Sequence, residues 1–243
     1  MYTNLAGYFE AIFPVGETQL GLIREVLQLV NGRRVLDAAC GSGGYSFALT
    51  REGCAVTGID LDPGMIAYAK EQAYRRGLSA TFRAEDMRCI NERDGEFSLV
   101  LCMGNSLPHL LHDEDLKKAL CEMQRVLSDE GVLLLQNINY DWVLKSRPSQ
   151  LPVIEHPERG IAFSRSYDYR DDGLVDFTTC LTISDGEGQK EYGGTVPLRP
   201  ITREELTATL ADCGFKSVDV YGGFDKRPFS DDTFHIVVLA KKG

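Results

Sequence analysis

The stretch Val35-Leu36-Asp37-Ala38-Ala39-Cys40-Gly41-Ser42-Gly43-Gly44-Tyr45, VLDAACGSGGY, runs an apolar strand straight into a glycine-rich turn. Glycines there let the backbone bend tightly and come close to a bound molecule. The residues on either side decide which fold carries this turn and what it meets.

Helical and strand patterns alternate through the first 140 residues. In ETQLGLIREVLQLV (17–30), Leu20, Ile23, Leu27 and Val30 recur every three or four positions, one apolar helix face, and Asn31-Gly32 closes it. RRVLDAA (33–39) is the first strand, a helix spans 44–51, and CAVTGID (54–60) is the second strand. PGMIAYAKEQAYRR (63–76) starts with Pro in its first turn and stops before Gly77, as a helix does. ATFRA (80–84) and FSLVLCM (97–103) follow as strands three and four. A helix with Leu116, Leu120, Met123 and Leu127 on one face precedes the fifth strand, VLLLQNI (132–138). This alternation of helices with continuously apolar strands predicts an α/β fold, a doubly wound parallel sheet covered on both faces. Ligands of such sheets bind beyond the carboxyl ends of the strands, where strand order reverses. The glycine turn lies at one of those ends.

Residues 140–200 break the pattern. GIAFSRSYDYR, LVDFTTCLTIS and QKEYGGTVPL read as extended, with Asp171-Asp172-Gly173 and Asp185-Gly186 as hairpin turns. About 60 residues hardly hold a core alone, so the chain is expected to be one domain over 1–243. Residues 1–32 form its helical leader, and 140–200 an antiparallel, lid-like insertion. A helix at 202–213 and two strands, KSVDVYG and TFHIVVLA, then complete the sheet.

The formal charge of −10 argues against a nucleic-acid partner, whose phosphates call for Lys and Arg. No apolar run is long enough to cross a bilayer, so no membrane partner is expected. No basic segment followed by an apolar one stands at the N-terminus, and a cytoplasmic location is expected. The seven cysteines are scattered without a C-x-x-C pair and read as reduced, mostly buried apolar residues. His109, His112 and Asp113 read as a loop entering a helix, not as metal ligands; no metal is expected.

Nicotinamide cofactors, nucleotide phosphates and S-adenosylmethionine all use glycine turns of this kind. A dinucleotide fingerprint needs a third glycine after G-x-G, and here Gly44-Tyr45-Ser46 follows Gly43. The Gly-Lys-Ser/Thr of a phosphate loop is missing too. Asp60, 19 residues after Gly41 at the end of the second strand, offers a carboxylate to two ribose hydroxyls. After the third strand, Ala84-Glu85-Asp86-Met87 offers a carboxylate and a backbone N–H to an adenine edge. A nucleoside whose tail is not a pyrophosphate satisfies both.

VLDAACGSGG, TGIDLD, AEDM and EFSLVLCMGNSLPHL, in this order, resemble the class I S-adenosylmethionine-dependent methyltransferases over nearly the whole chain. The resemblance implies a seven-stranded, mostly parallel sheet whose last strand is antiparallel. It implies that Asp37, Ala39, Gly41 and Gly43 meet the amino acid end of S-adenosylmethionine, with S-adenosylhomocysteine as product. Asp60 then binds the ribose, Leu61 packs on the adenine, and Asp86 with Met87 reads its edge. Cys102, at the end of the fourth strand, and Tyr8, in the aromatic leader with Tyr2, Phe9 and Phe13, lie beside the cofactor.

MGNSLPHL lacks the Asn/Asp-Pro-Pro-aromatic motif of enzymes that methylate DNA amino groups, which favours a small-molecule acceptor. It is similar to the Gly-Asn-Ser-x-x-His-Leu of glycine and glycine/sarcosine N-methyltransferases, as is Asn139-Tyr140-Asp141 after the fifth strand. Those enzymes carry a carboxylate-binding arginine just before that triplet, where this chain has Ile138. Arg165 or Arg199 would have to supply such a charge from another direction. Asn105 is the candidate for orienting the acceptor, Tyr140 and Tyr169 for lining its pocket. His109 is the candidate base, its ordinary pKa lying near neutrality. The expected activity is methyl transfer to a small molecule, at nitrogen. A non-catalytic S-adenosylmethionine-binding sensor and a nicotinamide-dependent oxidoreductase are the alternatives.

Overall fold

The computed structural model describes residues 6–185 and 188–243. Tyr2, and Gly186 of the second hairpin turn, lie outside the described residues. In chain order the elements are α1 (Ala6–Ile12), α2 (Glu17–Leu29), β1 (Arg34–Ala38), α3 (Gly44–Arg51), β2 (Ala55–Asp60), α4 (Pro63–Arg75), β3 (Thr81–Ala84), β4 (Phe97–Cys102), α5 (Asp113–Val126) and β5 (Leu127–Ile138). They continue as α6 (Tyr140–Ser146), β6 (Gln150–His156), β7 (Ile161–Tyr169), β8 (Val175–Asp185), β9 (Gly188–Leu198), α7 (Arg203–Asp212), β10 (Phe215–Tyr221) and β11 (His235–Lys242).

Seven strands form one sheet in the order β10-β11-β5-β4-β1-β2-β3. β1 pairs in parallel with both β2 and β4, and β11 runs antiparallel between β5 and β10. Strand order therefore reverses at β1/β4. The crevice beyond their carboxyl ends is the place such sheets reserve for ligands. Because β11 is antiparallel, its first residue, His235, comes to the same edge, opposite Ile138.

Period-two alternation sorts the core onto two faces. Leu36, Val100, Leu133 and Val238 turn to α5 and α7; Val35, Leu99, Val132 and Val237 turn to α2 and α3. With both faces covered, β4 is buried along its whole length. Local chemistry fixes the helix starts. Asp62 caps α4 by accepting from the N–H groups of Gly64 (2.8 Å) and Met65 (3.2 Å), ahead of Pro63 at its first position.

The insertion is richer than the hairpins read from sequence. It opens with α6, capped by the Asn139 side chain, and its sheet has four antiparallel strands, β6-β7-β8-β9, where three were expected. β5 also starts five residues early, because the chain leaves α5 directly into an irregular strand with Glu130 at φ +63°. A second correction concerns the cysteines. Cys121 on α5 and Cys213 after α7 form a disulfide, their Cα atoms 4.8 Å apart, although 92 residues separate them. The packing of α5 beside α7 brings them together. Cys40, Cys54, Cys89, Cys102 and Cys180 are free, and Cys89 is exposed.

Candidate active site

A cavity of about 1240 Å³ lies over the carboxyl ends of β1 to β5 and continues under the four-stranded sheet. Drug-sized ligands fill roughly 300–1,000 Å³, so there is room for two partners at once.

The glycine turn forms one end. Ala39 (φ +60°), Gly41 (φ +53°) and Gly43 (φ +89°) alternate through the left-handed region, strain that a non-glycine such as Ala39 bears only where the surroundings enforce it. Gly41 donates its N–H to Asp60 Oδ2 (2.8 Å), and Asp62 N–H meets Asp60 Oδ1 (2.9 Å). Asp60 thus staples the turn to the end of β2. A Cβ on Gly41 would sit 3.4 Å from Met65 and 3.6 Å from the Phe9 ring, leaving a slot between turn and leader. Gly43 does not line the cavity. Its Cβ would lie 2.8 Å from Phe47 and 3.0 Å from Phe82, so its glycine is demanded by packing behind the turn.

Carboxylates surround this end. Asp37, 2% exposed, accepts from Ser46 Oγ (2.7 Å). Burial pushes its pKa up to about 6, Ser46 pulls against that, and the charge on Asp60 adds to the rise. Burial also raises Asp60, partly offset by the two N–H groups it accepts. Asp86 is instead held below the usual carboxylate range by Arg88, whose Nη2 lies 2.7 Å away and which also pairs with Asp115 (2.8 Å). Leu61 and Met87 line the same region, Leu61 with 69% of its surface exposed.

At the other end Asn105 lies on a left-handed residue (φ +66°) after β4. Its Oδ1 accepts from Ile138 N–H (3.1 Å), and its Nδ2 donates to the Tyr140 hydroxyl (3.2 Å). Tyr140 is 1% exposed and supports Asn105 from behind; it does not line the cavity. His109 opens onto the cavity, and the protein around it lowers its pKa by desolvation.

Several expected residues are not brought to this cavity. Cys102 is fully buried and packs toward α5, because alternation along β4 hands the cavity to Met103. Tyr8 packs against the cluster of Ile12 and Phe163 without lining the cavity, while Phe9 and Phe13, which pack with the same cluster, line it. Tyr169 donates to Pro148 O (3.0 Å) behind α6. Arg199 is tied to Asp113 (2.5 Å) and Glu205, outside the lining. Arg165, from β7, does line it.

Gln136, His235, Phe234, Phe163 and Phe177 line the cavity as well, and sequence reasoning missed them. Gln136 was legible as the one polar residue of VLLLQ, and His235 as the first residue of an antiparallel last strand. Gln136 Oε1 accepts from Gly104 N–H (3.1 Å), so its Nε2 is the donor facing His235 Nδ1 (3.2 Å). The His235 ring proton therefore resides on Nε2, and burial keeps the ring neutral. Among the described residues no cluster of His, Cys, Asp and Glu could hold a metal ion, and no helix is long and apolar enough to cross a membrane.

Known proteins match this architecture. A methyltransferase-domain family covers residues 35–131. The chain is 30% identical over 217 residues to a glycine/sarcosine N-methyltransferase of Halorhodospira halochloris, a match spanning 86% of this chain and 75% of that protein. With the corresponding enzyme of Parasynechococcus marenigrum (strain WH8102) the identity is 31% over 214 residues, 86% of this chain and 72% of that one. A crystal structure of an S-adenosylmethionine-dependent methyltransferase from Clostridium acetobutylicum superposes with a TM-score of 0.85 at 20% identity, covering 100% of this chain and 99% of the other. The strained turn, the slot beneath Phe9 and the ring of carboxylates fit a nucleoside with a cationic tail. The chain belongs to the class I S-adenosylmethionine-dependent methyltransferases, an enzyme with S-adenosylmethionine as its cofactor.

Proposed function

We propose that this methyltransferase acts on the nitrogen of a small-molecule amine. The observation that carries the reading is His109: a neutral imidazole on the wall of the same cavity as the carboxylate-ringed turn. An amine in neutral water is mostly ammonium and has no free lone pair. A neutral imidazole relays that proton toward solvent as the amine enters, so that the uncharged amine, the minor form in water, is the one that reacts. Bound S-adenosylmethionine supplies a methyl group on a sulfonium. The chain aligns and encloses the partners, an effect worth about 7–11 kcal/mol when orientation is ideal. The N-methyltransferase names of the relatives support the same acceptor atom.

In this reading Asp37, Ala39 and Gly41 hold the amino acid end of the cofactor, Asp60 its ribose, and Asp86 with Met87 its adenine edge, Leu61 packing alongside. Asn105 positions the loop that carries His109; both ends of its amide are already engaged within the protein.

Purified protein incubated with S-adenosylmethionine and separate pools of amines, phenols and carboxylic acids tests this. Formation of S-adenosylhomocysteine with an N-methylated product in the amine pool is expected, and His109→Gln should lower kcat and flatten its rise with pH. Methylation confined to phenols or acids would overturn it, as would tight cofactor binding without turnover of any pool.

A further inference from the structure

Arg165 sits on the apolar face of the four-stranded sheet. The period of two along β7 places Ile161, Phe163, Arg165 and Tyr167 on one side, and Ile161, Phe163 and Tyr167 are buried. The facing row of β8 contributes Leu181, Thr179 and Phe177, with Thr179 directly opposite Arg165. Arg165 is thus the one charged side chain in a row of aromatic and aliphatic groups that roofs the cavity.

Among the described residues its charge has no counter-ion. Nη2 donates to Pro152 O (2.8 Å), where the ladder between β6 and β7 slips, and Nε is buried without any partner. Among the described residues no carboxylate lies within ion-pair distance of it. Every lining carboxylate belongs to α1, to α5, to β1 and β2 themselves, or to the loops after β2 and β3. One carbonyl and the Phe163 ring, 6.0 Å from the guanidinium carbon, leave the desolvated cation only partly satisfied, and the surrounding wall lowers its pKa. A fold does not keep such a group on an apolar face for stability, because a methionine there would cost less.

We propose that Arg165 is the anion anchor of the acceptor site, and that the methyl acceptor carries an oxyanion, a carboxylate in the first instance, joined to an apolar body that lies against Phe163 and Phe177. A guanidinium receives a carboxylate through charge-assisted hydrogen bonds, stronger in this low-dielectric pocket than in water. The proposal rests on the amine reading for the reacting end of the molecule, but its test needs no turnover.

With the enzyme saturated in S-adenosylhomocysteine, the heats of mixing of phenylacetate, phenyl phosphate and neutral phenylacetamide are measured on wild type, Arg165→Gln and Arg165→Lys. Phenylacetate should bind wild type at least about tenfold more tightly than the amide. Arg165→Gln should erase that preference, and Arg165→Lys should keep part of it. Preference for phenyl phosphate with the same dependence on Arg165 assigns the anion as phosphate. Equal binding of phenylacetate and phenylacetamide to wild type, which needs no variant to fold, overturns the proposal. Undiminished carboxylate preference in a folded Arg165→Gln, with unchanged affinity for S-adenosylhomocysteine, does so too. In turnover, Arg165→Gln should raise KM for an amino acid acceptor and leave its kcat, and the KM of the matching amino amide, unchanged. Absence of N-methylation from every acceptor would count against the amine reading alone.

Discussion

Asn105 donates its side-chain amide to the Tyr140 hydroxyl across 3.2 Å, while its carbonyl end holds the backbone N–H of Ile138. One residue therefore ties the loop after β4 to the end of β5 and the start of α6. It does so from a left-handed conformation that asparagine tolerates better than most residues.

Asn105→Ala should remove both bonds and place an alanine at φ +66°, a loss of about 2–4 kcal/mol. Asn105→Gly removes the same bonds and relieves the strain, so it should be more stable than Asn105→Ala by about 1 kcal/mol. Urea midpoints of the two variants check the ordering. If they coincide, the backbone at 105 carries no strain.

Gly43→Ala and Gly53→Ala separate a steric effect from a conformational one. Both glycines have positive φ (+89° and +83°), but a Cβ at 43 would lie 2.8 Å from the Phe47 ring, and at 53 it meets nothing within 4 Å. Gly53→Ala should cost about 1 kcal/mol. Gly43→Ala should cost roughly 2 kcal/mol more through overpacking, a further fall in Tm of about 4–8 °C for a chain of this size. Thermal melts of both variants measure the difference.

The turn and the carboxylates at one end of the cavity were legible because their signals are local: a strand, a turn and a carboxylate at each of two strand ends, in fixed register. The acceptor end was not, because its residues meet only through the topology of two sheets. Arg165 and Arg199 look alike in sequence. Yet Arg165 shares the parity of Phe163 and Tyr167 and so faces the apolar side, while Arg199 is claimed by Asp113, 86 residues away. Parity on β7 was readable beforehand; the partner of Arg199 was not. Alternation likewise decides between Cys102 and Met103, one residue moving from cavity to core.

Asp60→Asn should weaken S-adenosylhomocysteine binding by at least about tenfold. The aspartate accepts from two N–H groups with two oxygens, and an asparagine has one acceptor for both. The turn at Gly41 then loses its staple and, in the proposed reading, the ribose loses its acceptor. Calorimetric titration measures it. Unchanged affinity would remove Asp60 from the site.

Thiol counting tests the pairing of Cys121 with Cys213. Protein purified without reductant and then denatured should titrate five thiols, and seven after reduction. Closing a loop of 92 residues stabilises by up to about 4–5 kcal/mol on chain entropy. Reduction should therefore lower the melting temperature of wild type and leave a Cys121→Ser/Cys213→Ser variant unmoved.

Stability and cofactor binding should both follow the titration of Asp37. Its carboxyl is pushed from the ordinary 3.8 up to about 6 in the folded protein. Between those values the folded state holds a proton that the unfolded chain has lost, so stability falls as pH rises through this window and is level above it. The full swing is on the order of 3 kcal/mol. Asp37→Asn keeps an acceptor for Ser46 Oγ, carries no charge and should flatten this slope relative to wild type. In the proposed reading Asp37 meets the cationic tail of the cofactor, so binding moves in the opposite sense: it favours ionised Asp37, and affinity for S-adenosylmethionine should strengthen from pH 5 to pH 7 in wild type but not in Asp37→Asn. Denaturation midpoints and binding titrations over that range read both trends. A slope shared by wild type and variant would place the titrating group elsewhere.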